Sequence, residues 1–194
     1  LARELADRYG LRVWWESDGA LLADRTVLLP EMVFNYIYGL VHTPSFRERY
    51  ALFLTREYPR VPFASSGELF FALGGIGGEL VDLHTLRTTP ERVTKYPVAG
   101  TNAVGEVRWT PEGESGRVWI NPEQYFSGVS QALWDHHIGG YRVLEKWLKE
   151  RKGRALTYDD LTDYQRIVAI LSRTQELQEQ LDKTIESGGG WPLR

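Results

Sequence analysis

At 194 residues, with 42% hydrophobic and 25% charged side chains, the chain has the composition of a globular domain long enough to bury its own core. It has no cysteine, which excludes disulfides and thiolate metal sites. No apolar run approaches the roughly 18 residues that a membrane span requires, so no membrane role is expected. The net charge of −3 leaves a strongly acidic or basic partner unspecified until the distribution of charge is examined.

Leu1 to Tyr9 reads as a short amphipathic helix closed by Gly10, and Leu11 to Trp15 as a strand-like run followed by an Asp18-Gly19 turn. Pro30 suits the first turn of a helix carrying Val33, Tyr36, Ile37, Leu40 and Val41. Thr43 and Pro44 restart the chain as N-cap and first residue of a second helix through Phe46, Tyr50 and Phe53, which must end before Pro59. A helical hairpin is expected, with Arg47, Arg49, Arg56 and Arg60 alternating with Glu48 and Glu57 on a solvated face. Ser65 and Glu68 form a capping box ahead of a helix carrying Leu69, Phe70, Leu73, Ile76, Leu80 and Leu83. Its Gly74, Gly75, Gly77 and Gly78 lack the spacing and the lysine of a phosphate loop, so a neighbouring element is expected to pack closely over them.

From Thr88 to Ile120 the period changes. Thr94 to Pro97, Val104 to Trp109 and Arg117 to Ile120 read as antiparallel strands, the last two joined by the turn-forming TPEGESG. Asn121 is expected to cap a short helical turn at Pro122, and Gly128, Gly139 and Gly140 punctuate the approach to the next helix. That helix starts at Arg142. Val143, Leu144, Trp147 and Leu148 form its core face, Arg142, Lys146 and Lys149 its cationic face, and Gly153 its C-cap. Glu145 with Lys149 and Lys146 with Glu150 are supporting i,i+4 pairs. Thr157 and Asp160 form another box, opening a helix through Leu161, Tyr164, Val168, Leu171, Leu177, Leu181 and Ile185, about 40 Å long at 1.5 Å per residue. Gly188 to Gly190 reads as a flexible tail. The pattern predicts an α+β fold: helices packed on a small antiparallel sheet in one domain spanning 1–194, with a long C-terminal helix over 158–187.

Charge converges on residues 142–154, where Arg142, Lys146, Lys149, Arg151, Lys152 and Arg154 stand against Glu145 and Glu150. The segment carries +4 while the rest of the chain sums to −7, so the basic patch is local. Enzymatic constellations are scarce. His42, His84, His136 and His137 do not have metal-ligand spacing, no serine sits in a G-x-S-x-G context, and neither a methyl-donor glycine motif nor an N-P-P-Y type tetrad is present.

The run from Val118, VWINPEQYFSGVSQALWDHHIGGYRVLEKWLKERKGRAL, resembles the C-terminal specificity domain of type ISP restriction-modification enzymes. FNYIYGLVHTPSFRERYALFLTREYPRVPF (Phe34 to Phe63), ELVDLH (Glu79 to His84) and KYPVAGTN (Lys95 to Asn102) correspond as well, so the likeness runs from about Pro30 to Ile185. Such enzymes join a nuclease, a helicase-like ATPase, a DNA adenine methyltransferase and a target-recognition domain in one chain. The resemblance implies a non-catalytic reader of double-stranded DNA, a cytoplasmic fragment of a larger bacterial defence enzyme. It would partner the methyltransferase domain of the same parent. It would hold no cofactor or metal itself; S-adenosylmethionine, ATP and magnesium would belong to the other domains. A reader needs cations for phosphates and long polar side chains for base edges. Arg142, Lys146, Lys149, Arg151, Lys152 and Arg154 are candidates for the first role, and Lys95, Asn102, Arg108, Arg117, Asn121 and Gln124 for the second. Trp109, Trp119, Trp134, Trp147, Tyr125 and Tyr141 could stack on a displaced base, but their helix and strand spacing favours core. The alternative is a structural coupling module that docks methyltransferase and ATPase domains with little base readout.

Overall fold

A computed structural model describes residues 1–16, 19–56 and 60–193. The expected Asp18-Gly19 turn and the helix end before Pro59 involve residues outside that range. The chain divides into two compact units, 1–88 with 174–194, and 89–173.

In the first unit, α1 (Ala2–Tyr9) ends at Gly10, whose left-handed φ of 66° makes the expected stop. The strand-like run pairs over only two residues: β1 (Arg12–Val13) lies parallel to β2 (Val27–Leu28), with Arg12 opposite Val27. A 3-10 turn (Gly19–Ala23) lies between them. Pro30 is the first residue of α2 (Pro30–His42), as its fixed φ and missing N–H favour. Thr43 precedes α3 (Pro44–Arg49) but does not cap it; its buried hydroxyl donates to Gly39 O at 2.9 Å. The second helix is broken at Tyr50, after which α4 (Ala51–Leu54) continues.

The partner that α2 packs against is α5 (Gly67–His84), and glycine is the reason. A Cβ on Gly77 would collide with the Asn35 carbonyl, and one on Gly39 would lie 3.1 Å from Leu73 O. The two backbones meet where an alanine would separate them, which is the close packing expected of the GGIGG run. The cap of α5 is Ser66, one residue later than the box predicted, with its Oγ accepting from Leu69 N at 3.1 Å. Tyr36, Leu40, Phe70, Leu73 and Leu80 are fully enclosed, and Leu177, Leu181 and Ile185 come from the second half of α8 (Tyr158–Ser187). The tail after α8 is not loose. Gly190 N returns to Ile185 O at 2.8 Å, Trp191 packs on Phe46 and Tyr50, and its Nε1 donates to Ser45 Oγ at 2.8 Å.

The second unit is built on a three-stranded antiparallel sheet, β3 (Arg108–Glu112), β4 (Ser115–Trp119) and β5 (Tyr125–Ser127), in that order. The expected strand at Val104 starts four residues late because Val104 is used elsewhere. Its N–H donates to Arg154 O at 2.9 Å, and its carbonyl accepts from Gly153 N at 2.8 Å. The β3–β4 turn is only Gly113-Glu114, with Gly113 at φ 58°, so Thr110 and Pro111 belong to the edge strand. Thr94 to Pro97 contributes one antiparallel bridge, Lys95 to Ser127, and not a strand.

Short α6 (Gln131–Trp134) leads to a hairpin, β6 (His137–Ile138) and β7 (Tyr141–Arg142), turned by Gly139 and Gly140, both at positive φ. The basic helix α7 is Val143–Lys149. Gly153 takes the left-handed conformation, but beyond the C-cap Glu150. One face of the sheet, α7 and the first half of α8 enclose Val118, Phe126, Leu144, Leu148, Tyr164 and Val168. The α+β reading, with small antiparallel sheets and a long C-terminal helix, is what the structure shows; the 30 residues of α8 span about 45 Å.

Candidate nucleic-acid interface

Strand alternation sorts the middle of the second unit into two faces. Trp109, Gly116, Val118 and Phe126 point into the core, where the Trp109 indole covers Gly116 and donates to Val129 O at 2.9 Å. On the opposite face the register aligns Arg108, Trp119 and Tyr125 in one row, and Thr110, Arg117 and Ser127 in the next, with Lys95 bridged to Ser127. The Arg108 guanidinium carbon lies 4.9 Å from the Trp119 ring centroid, and that of Arg117 lies 4.5 Å from the Tyr125 centroid. Trp119 and Tyr125 are 4.7 Å apart, and Trp119 Nε1 donates to Thr110 Oγ1 at 2.9 Å. Such cation–ring contacts fix the guanidinium planes and are worth about 0.5–1 kcal/mol each at exposed sites. Arg117 is ion-paired with Glu112, which lowers that carboxyl's pKa. The result is a solvent-facing platform of Lys95, Arg108 and Arg117 interleaved with two rings.

The remaining base-edge candidates are spent internally, which corrects the expectation for them. Gln124 is 1% exposed; its Oε1 accepts from Asn102 N at 2.8 Å, and its Nε2 donates to Asn102 Oδ1 at 2.8 Å and to Val98 O at 3.1 Å. Asn121 donates to Gln124 Oε1 and Ala103 O at 3.0 Å, while its Oδ1 accepts from Glu123 N and Gln124 N in a turn that leads into β5 instead of a helix. Asn102, at φ 55°, also accepts from the Tyr96 hydroxyl, whose pKa burial pushes up to about 12. These amides fasten residues 96–104 to the β4–β5 connection and hold the platform from behind.

The basic segment behaves as its two faces predict. Leu144 and Leu148 are buried, Val143 and Trp147 pack against the core, and the cations point outward. Most are already paired. Arg142 lies 3.0 Å from Asp135, Lys149 2.8 Å from Glu145, and Lys146 3.8 Å from Glu150 and 4.3 Å from the Tyr141 ring centroid. Asp160 accepts from Arg154 Nη1 at 2.8 Å, Arg154 Nη2 at 3.0 Å and Arg151 Nε at 3.1 Å, and serves the predicted box with Thr157. Those bonds, from Arg154 first, hold its carboxyl far below the ordinary range. The Arg151 guanidinium carbon also lies over Trp147, 3.4 Å from the ring centroid, and the side chain donates to Trp147 O, so it belongs to the scaffold. Among the described residues, Lys152 has no ion-pair partner. Exposed pairs contribute only about 0–1 kcal/mol, so Arg142, Lys146, Lys149 and Arg154 can exchange their carboxylates for phosphates at little cost.

Two features escaped the sequence. Trp119, Tyr125 and Tyr141 are not core: the first two form the platform, and Tyr141 and Ile138, each about 60% exposed, crown the β6–β7 hairpin. Glu112 and Asp160 organise the arginines beside them, a role that acidic residues announce only once register is known. His42 and His84 pair with Tyr38 in the first unit, and among the described residues no group of three His, Cys, Asp or Glu side chains could hold a metal.

Residues 16–180 match the type ISP C-terminal specificity domain. The chain belongs to this family. No curated protein matches the domain in sequence. A nuclease-deletion mutant of the type ISP restriction-modification enzyme LlaGI, solved with a DNA substrate mimic, is 19% identical at a TM-score of 0.57, over 79% of this chain and 16% of that one. The ATP-dependent type ISP enzyme LlaBIII bound to DNA is 18% identical at 0.57, over 84% of this chain and 12% of that one. The cryo-EM DrdV–DNA complex is 19% identical at 0.60, over 95% and 19%. These likenesses establish a shared fold, and this specificity domain spans less than a fifth of each of those chains.

Proposed function

We propose that this specificity domain reads duplex DNA for a restriction-modification enzyme. In this reading the Lys95, Arg108, Arg117, Trp119 and Tyr125 face meets base edges, while Arg142, Lys146, Lys149, Lys152 and Arg154 meet phosphates. Both units act as one recognition domain, and the adenine of the site is presented to a methyltransferase domain elsewhere in the parent protein. Adenine N6 cannot react inside the stack, so the base is extruded into that other domain's pocket. S-adenosylmethionine, ATP and magnesium serve those other domains. The observation that carries the reading is the sheet's solvent face, where register gathers cations and rings on the side away from the core. The DNA in the related complexes supports it by analogy of fold.

Binding of duplex DNA to the full chain, followed by fluorescence anisotropy from low to high salt, tests this. Lys146→Ala and Lys149→Ala should each weaken binding to every sequence alike and lower the slope of log affinity against log salt by roughly 0.9. Arg108→Ala should weaken cognate binding selectively by about 1 to 3 kcal/mol. If the folded lysine variants keep the wild-type slope, the phosphate role fails.

A second reading, a coupling module, is favoured by the first unit's apolar surface. Trp14, Trp15, Leu22, Phe34, Leu52 and Phe53 are all exposed. In that case their replacement, and not that of the platform, would control activity of the parent enzyme.

A further inference from the structure

We propose that the Arg117–Glu112 pair reads a single G·C base pair, with Arg117 donating to guanine and Glu112 holding it in position while accepting from cytosine; the inference rests on the DNA-reading function proposed above. Arg117 is the most constrained cation on the platform. Its guanidinium lies over Tyr125 at 4.5 Å and beside Trp119 at 6.0 Å, and Nη2 is paired with Glu112 from the neighbouring strand. Its Nε is buried without a partner, and among the described residues Nη1 has none either. The side chain is 34% exposed, so the free end of the fork is what reaches solvent. Arg108 is stacked but has no carboxylate partner among the described residues, and Lys95 is a point charge on a flexible stem.

Contacts and charge decide between a phosphate and a base edge. Arg117 is held by Tyr125 as well as by Glu112, so unlike Lys149 it would lose a ring contact on turning to a phosphate, and Glu112 beside it would repel one. A neutral edge avoids both costs. In the major groove guanine presents two adjacent acceptors, O6 and N7, which match parallel N–H donors, whereas adenine sets its N6 amino group against them. Cytosine N4–H is the donor that a carboxylate accepts, and Glu112 Oε2 has no partner among the described residues. The pair therefore carries the donor–acceptor order of one G·C pair, with ring and ion pair removing the rotamer freedom that reading would otherwise cost.

Selection of binding sites from a randomised duplex pool by the full chain tests this. The wild type should fix one G·C position that Arg117→Ala flattens, with the remaining positions kept. On the selected site Arg117→Ala and Arg117→Lys should each lose roughly ten- to hundredfold in affinity, lysine having charge but no fork. Replacing that guanine with 7-deazaguanine should weaken wild-type binding and leave Arg117→Ala unaffected. Glu112→Gln should relax the same position. A wild type that selects no sequence overturns the DNA-reading function itself. A wild type that selects a site, with Arg117→Ala weakening all sequences equally and lowering the salt slope, overturns only this assignment and makes Arg117 a phosphate contact. Should Arg117→Ala fail to fold, Arg117→Lys and the 7-deazaguanine substitution separate the same two outcomes.

Discussion

Asp160 is the point where the fold of the second unit and its charge meet, and removing it should cost about 3 kcal/mol. Asp160→Ala deletes the reciprocal cap with Thr157, worth about 1 kcal/mol. It also deletes the bonds to Arg151 and Arg154. The carboxylate is 13% exposed, and the charged hydrogen bonds it accepts add about 2 kcal/mol after screening. For a chain of this size the sum lowers Tm by roughly 6 to 12 °C, read by circular dichroism, with the same loss in the urea midpoint at unchanged slope. The pH dependence has a fixed sign. A carboxyl whose pKa is depressed on folding stabilises above its unfolded value near 4 and loses that contribution as pH falls through the folded value. The gap between wild type and variant should stay constant from about pH 8 to 5 and narrow below about 4. A loss under about 1 kcal/mol, or a gap indifferent to acid, would refute the reasoning.

Tyr164 is fully enclosed with its hydroxyl unpartnered among the described residues, and burial raises its pKa well above that of an ordinary phenol; Tyr164→Phe should therefore stabilise the chain by about 1 kcal/mol in urea titration. Gly77→Ala forces a methyl against the Asn35 carbonyl and should destabilise by about 3 kcal/mol or more, while Gly75→Ala, with nothing within 4 Å, should stabilise by about 0.5 to 1 kcal/mol. Equal effects from the two would mean that α2 and α5 do not meet at Gly77. Burial lowers the pKa of both His42 and His84, whose rings lie 5.3 Å apart, so their neutral forms stabilise above about pH 6.5 and the benefit is lost as pH falls through the folded values. The urea midpoint should drop between pH 7.5 and 5.5, and His84→Asn should reduce that drop.

Helices with a strong period were legible because their burial follows from spacing alone: α2, α5, α8 and the core face of α7 lie where the sequence put them. Bonds from distant segments account for the differences. Val104 looks like a strand residue but pairs with residues 153 and 154, and Thr43 looks like a cap but bonds backwards to Gly39. Ser66 and Ser65 are both capping residues, and only the helix itself decides between them. At the candidate site, the cations were visible in composition, yet their grouping needed register. Alternation along β4 sets Arg117 and Trp119 on the face away from Val118; register adds Arg108 and Tyr125 to that face and the bridge to Ser127 adds Lys95, gathering three of the six base-edge candidates, while the three amides serve the loop.

The first unit is discontinuous: residues 1–88 and 174–194 belong together, and the whole second unit is threaded between them. Leu181 lies against Gly39, Asp182 against Ser45, and Trp191 on Phe46, so the segment before residue 89 lacks a wall of its core until residues beyond 180 have been made. On a ribosome adding about 5 to 20 residues per second, the intervening segment of 89–173 takes roughly 4 to 17 seconds to emerge. The second unit, continuous in sequence, is free to fold during that wait. The order of synthesis is thereby reversed in the order of completion: the inserted unit matures first, and the segment translated ahead of it only afterwards.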